Sequence, residues 1–193
     1  MKVFLLSPAS LTGVRAGQLL AARSRFALAR RLRAEGLTLE EAFCFLSSLY
    51  FRGKLAYARR FRTDEKAPIF VIAPGQGLMP PETPCTIDSM RRLRRVRVST
   101  ACRPYRQALD AHARELAARL DEDSQVILLG SIASGKYIDV LAPIFGRRLM
   151  APRAFIGIGD MSRGSLMFRA VASGVELDYM PLPGRISRHG QLL

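Results

Sequence analysis

Tryptophan is missing from this 193-residue chain, and cysteine and histidine are nearly so, with three and two copies. Cys44, Cys85 and Cys102 are scattered, no C-x-x-C pair occurs, and His112 and His189 lie far apart. That leaves no ligand spacing for a structural zinc, and an odd thiol count suits a reducing compartment. No metal or other cofactor is called for. No apolar run nears the ~20 residues that cross a bilayer, so no membrane association through a spanning segment is expected. The opening "MKVFLLSPAS" has too short an apolar stretch for a signal-peptide core. It reads as a buried first strand, and without a targeting signal the expected compartment is the cytoplasm.

Acidic residues are the larger shortage. Sixteen Asp and Glu face 30 Lys and Arg, a formal charge of +14 and a pI near 10.9. Such an excess attracts polyanions and speeds their encounter. Nucleic acid, DNA ahead of RNA, is the partner that fits first. The plain alternative is an arginine-rich composition without functional meaning.

What the chain does have is a hydrophobic share of 49%, enough for one sizeable core. Strand-like runs alternate with helical patterns: "KVFLLS" (2–7), "PIFVIA" (68–73), "QVILLG", "AFIGIG" and "VELDYMPL" read as strands. Residues 17–34 read as one amphipathic helix, and "TLEE" offers a capping box, Thr38 to Glu41, for a helix through about Phe51 that Gly53 breaks or kinks. "TIDSMRRLRR", "RPYRQALDAHARELAARL", "GKYIDVLAPIF" and "SRGSLMFRAVAS" read as further helices. Wholly apolar strands separated by helices predict an α/β fold, a mainly parallel sheet with helices on both faces in three layers, Rossmann- or glycosylase-like. Residues 1–185 form this single domain, and 186–193 a loose C-terminal tail.

Four loops follow strands and are expected at one sheet edge, where parallel sheets bind ligands: "SPAS" (7–10), "PGQGLMPPETP" (74–84), "GSIASGKY" (130–137) and "GDMSRGS" (159–165). Gly130, Gly135 and Lys136 have the G-x-x-x-x-G-K spacing of a phosphate-binding loop. Tyr137 stands where a magnesium-binding hydroxyl is required, which sets a nucleotide hydrolase aside. A ligand-free turn and a phosphate contact through Ser131, Ser134 and Lys136 both remain open. Arg163 offers a fork for a phosphate or base edge, with Ser162 beside it, and Gln76 a paired donor and acceptor. Arg91, Arg92, Arg94, Arg95 and Arg97 crowd "MRRLRRVRV", while Arg52 and Lys54 sit in the aromatic-laced "YFRGKLAYARRFR". Each run reads either as a solvated face or as a phosphate-binding groove. Ser7 completes the candidate binding set.

These pieces are similar to a known family. In order, "LLSPAS", "GLMPPETPCTIDSM", "LGSIASGKYIDVL" and "MSRGSLMFRAV" resemble the YaaA-type proteins of peroxide stress and related small domains. The resemblance implies a compact α/β fold with a positive cleft, nucleic-acid binding, a place in stress response or repair, and distant likeness to uracil-DNA glycosylases. By that analogy Ser7, Pro8, Gly77, Lys136, Tyr137 and Arg163 face the cleft. "SPAS" lacks the lysine that follows the family's SPA motif, and no water-activating glycosylase motif is present. The leading expectation is a nucleic-acid-binding protein whose basic cleft accepts a phosphate backbone or an extruded nucleotide. The alternative is an enzyme on a nucleotide or nucleobase, by N-glycosidic cleavage or base exchange, with Asp160, Lys136 and Tyr137 as catalytic groups. A third reading is a basic face that docks an acidic partner.

Overall fold

A computed structural model describes the whole chain apart from Asp64, Lys66, Arg188 and Leu193. Eight strands and eight α-helices are present among the described residues. In chain order they are β1 (Lys2–Leu6), α1 (Val14–Leu20), α2 (Ala27–Ala34), β2 (Leu37–Thr38), α3 (Leu39–Leu46), α4 (Ser48–Phe61), β3 (Ile69–Ala73) and β4 (Gly77–Met79). There follow β5 (Pro84–Cys85), α5 (Ile87–Arg95), α6 (Arg103–Ala118), β6 (Gln125–Leu129), α7 (Gly135–Phe145), β7 (Leu149–Pro152), α8 (Asp160–Ser173) and β8 (Tyr179–Pro181).

Six strands form one sheet in the order β4-β3-β1-β6-β7-β8, and β2 and β5 make a small ribbon. The four inner strands run parallel, while β4 and β8 close the edges antiparallel. The parallel strands are the most apolar: Val3 to Leu6 and Val126 to Leu129 are fully buried, as a sheet covered on both sides requires. The protein is therefore α/β with a mainly parallel sheet. No helix among the described residues is long and apolar enough to cross a membrane.

Strand order fixes where a ligand can enter. From β1 the chain goes to β3 on one side, then returns past β1 to β6 on the other. The carboxyl ends of β1 and β6 thus flank a topological switch point, where the loops diverge and leave a crevice. There Ser7 follows β1 and donates its backbone N–H to Leu129 O at 3.1 Å.

Two glycines bring the main helix pair together. A Cβ on Gly53 of α4 would stand 3.0 Å from the carbonyl oxygen of Gly164 in α8, and one on Gly164 would stand 3.2 Å from Leu49 and Tyr50. The helices cross at near-backbone contact. Gly53 does not break the helix, because α4 runs through it; the break falls at Ser47, between α3 and α4. The Thr38–Glu41 capping box is formed.

Three further expectations are corrected. Residues 17–34 are two helices, because the chain turns at 21–26, where Arg33 donates to Ala21 O and Ser24 O. "AFIGIG" is no strand: β7 ends at Pro152, a 3-10 turn spans Arg153–Phe155, and Gly157 takes a positive φ of 73° that a strand cannot use. In the segment expected to be a loose tail, Ile186 is buried, donates its N–H to Ile132 O at 2.9 Å and bridges to Leu192.

Candidate functional site

At the switch point lies a hollow of about 500 Å³. Ser7, Pro8, Ser10 and Thr12 come from the loop after β1, Pro74 from the end of β3, and Ser131, Lys136 and Tyr137 from the β6–α7 turn. Asp160 opens α8, and Tyr50 reaches in from α4. The remaining wall is the basic segment at and beyond the end of α5, with Arg94, Arg95 and Arg97. Gly75 holds that segment in place: at φ 75° it brings the loop so close to Val96 that a Cβ would stand 2.9 Å from its side chain. Among the described lining residues, four cations face the single carboxylate of Asp160. In a concave wall such an excess concentrates positive potential.

A second hollow of about 460 Å³ adjoins the first and shares Ser131 and Asp160 with it. Arg163 lines it but stands only 7% exposed. Its guanidinium donates to Phe155 O at 3.2 Å and pairs with Asp160 at 3.5 Å, while its Nε is buried without a partner among the described residues. The expected phosphate fork is thus already engaged with its own chain.

Beneath the first hollow, Lys54 is 1% exposed. Its Nζ lies 2.7 Å from Ser7 O and 2.9 Å from Ser7 Oγ, and 4.1 Å above the Tyr50 ring. Burial pulls its pKa down to about 7; Asp160 works against that shift, and the charges of Lys136 and Arg163 reinforce it. Tyr50 and Tyr137 are both buried, and loss of water pushes the Tyr50 phenol up to about 12 and raises Tyr137 as well. The Tyr50 hydroxyl has no hydrogen-bond partner among the described residues.

The structure brings together Ser7, Arg94, Arg95, Ser131, Lys136, Tyr137 and Asp160 at the first hollow and leaves other expected residues elsewhere. Lys54, expected to line an outer groove, is sealed under it, because its position on α4 faces Ser7 and α8. Arg52 is exposed on α4, and Ser162 is exposed in the first turn of α8; neither lines the hollow. Gln76 and Arg92 border a separate small cavity of about 100 Å³, so the hairpin into β4 carries Gln76 away from the switch point. Arg91 is exposed and paired with Asp88 at 3.3 Å. The Ser134 hydroxyl is buried without a partner among the described residues and gives α7 no side-chain cap.

The "GSIASGKY" turn does open a helix, but a Cβ on Gly135 would collide with the Asp139 carboxylate. Asp139 lies against the first turn and is held by Arg185 at 3.0 Å. A triphosphate cradle needs that approach free of negative charge.

Nothing local in the sequence marks Tyr50, Ser7 and Lys54 as a unit. A lysine amid aromatics reads equally as a surface cation, and it is the Ser7 loop together with Tyr50 and Phe51 that covers it. Among the described residues no three His, Cys, Asp or Glu stand together as metal ligands do. No protein-family model, curated protein or solved structure matches the chain. The site's chemistry therefore rests on its own residues.

Proposed function

We propose that the chain binds nucleic acid, with the hollow at the β1/β6 switch point taking a backbone phosphate or a turned-out nucleotide. One observation carries this reading: Arg94, Arg95, Arg97 and Lys136 converge on a concave wall that has only Asp160 as a counter-charge among its described residues. Guanidiniums supply forked donors for phosphate oxygens, and the Ser7, Ser10, Thr12 and Ser131 hydroxyls supply neutral ones. The overall charge of +14 adds long-range attraction. The YaaA-type resemblance agrees with it, since two of its four quoted segments, "LLSPAS" and "LGSIASGKYIDVL", contribute residues to the hollow. The right-handed crossover rule sends the β1–β3 and β3–β6 connections to opposite faces of the sheet, which supports three layers.

Filter binding of a DNA oligonucleotide across a salt series tests the reading. Affinity should fall steeply as salt rises, by about 0.7–0.9 in the log–log slope per phosphate neutralised. A flat response, or no binding at low salt, rejects it.

A further inference from the structure

The contact between Ser7 and Lys54 is more than a hydrogen bond that fastens a loop. We propose that Ser7 is a nucleophile toward the phosphorus of a phosphoric ester held in the hollow, and that Lys54 is the base that takes its proton. The proposal rests on the phosphate-binding reading above and adds a reaction to it.

Geometry comes first. Ser7 Oγ lies 2.9 Å from Lys54 Nζ, on the wall of the hollow that carries Arg94, Arg95, Arg97 and Lys136. Ser7 follows a sheet strand and is held by its N–H to Leu129 O, so its position is set by the sheet. Lys54 is walled in by Tyr50 and Phe51 and by the loop of Ser7 itself. A neutral amine there donates one hydrogen to Ser7 O and keeps its lone pair for the Ser7 hydroxyl proton. The groups acting on Lys54 are Asp160 and Arg163 from α8 and Lys136 from α7, and with its burial they leave the amine half neutral at about pH 7. Tyr50 from the same helix and Tyr137 from α7 stay protonated at that pH. The Tyr50 hydroxyl, with Arg163 and Ser7 beside it, adds a polar group to this wall that a phosphoryl oxygen can meet.

Ser7 Oγ forms a bond to phosphorus as its proton passes to Lys54, the bond from phosphorus to the leaving oxygen breaks, and that oxygen takes a proton from water. Water then attacks phosphorus, the Oγ–phosphorus bond breaks, and Oγ recovers the proton from Lys54. The remaining proton of the attacking water neutralises the hydroxide left by the first step. The sum is hydrolysis of one ester bond, with no change of oxidation state. The cations of the wall offset the charge that builds on the phosphoryl oxygens.

The test uses the full chain with bis(4-nitrophenyl) phosphate, following 4-nitrophenol release from pH 6 to 9. Release is expected to rise through about pH 7 as Lys54 loses its proton, and to vanish in Ser7→Ala. Lys54→Arg keeps the charge but cannot accept a proton, so release should fall at least ~100-fold, the usual contribution of a general base. Circular dichroism establishes that each variant folds, and the wild-type pH profile decides the matter even if one does not. No release, release that survives in folded Ser7→Ala, or a rate flat in pH overturns the proposal. Salt-dependent DNA binding without any release sinks the reaction alone; release without DNA binding sinks the nucleic-acid reading alone.

Discussion

A lysine that enters a protein interior gives up the water around its ammonium, and Lys54 recovers two oxygens of Ser7 and the rings of Tyr50 and Phe51. Its pKa of about 7 in the folded chain lies well below the ordinary lysine value. Between about pH 7 and 10.5 the unfolded chain therefore binds the extra proton, and stability rises with pH through that window. Below pH 7 both states are protonated and this contribution is flat. Urea denaturation of wild type and Lys54→Met at pH 6.5 and 9 should show wild type gaining on the variant by about 2 kcal/mol, the slope approaching ~1.4 kcal/mol per unit. Equal shifts in the two proteins would contradict a buried, titrating Lys54. Tyr50→Phe removes a hydroxyl that makes no hydrogen bond among the described residues, so stability should hold or rise slightly in the same assay. Gly164→Ala places a methyl 3.2 Å from Leu49 and Tyr50 in a crossing with no slack. It should cost on the order of 1–3 kcal/mol.

Elements were legible wherever one local signal decided them. The parallel strands announce themselves as unbroken apolar runs, and Thr38 and Glu41 mark a helix start that the structure forms as a capping box. Periodicity failed where a distant residue intervened. The apolar pattern of 17–34 suits one helix, yet Arg33 folds the chain back at 21–26 through bonds that no local window contains. "FIGIG" alternates like a strand, but Gly157 has a backbone angle outside the strand region. Lys54 is the same lesson at the site. Its ammonium is covered by the Ser7 loop, 47 residues away in sequence. The arginines of "MRRLRRVRV" divide by direction: Arg91 pairs with Asp88, Arg92 borders another cavity, and Arg94, Arg95 and Arg97 reach the hollow. Arg91→Ala should therefore leave DNA affinity within about twofold, since exposed pairs are worth little. Fluorescence anisotropy at fixed salt checks this, and a tenfold loss would place Arg91 in the interface.

At the scale of the whole molecule, two properties need separating. The charge of +14 attracts any polyanion, whereas the hollow at the switch point is a particular place. A chain that binds DNA merely by net charge would lose affinity equally wherever three arginines are removed. A chain that uses the hollow would not. The most direct measurement compares Arg94→Ala/Arg95→Ala/Arg97→Ala with Arg23→Ala/Arg25→Ala/Arg30→Ala, whose residues are exposed and border neither hollow. Both lower the charge by three, and each is titrated with one DNA oligonucleotide over a salt series. If the hollow holds phosphate, the first variant loses at least tenfold in affinity and about 2–3 in salt slope while the second stays near wild type. Matching losses in the two variants would contradict the site.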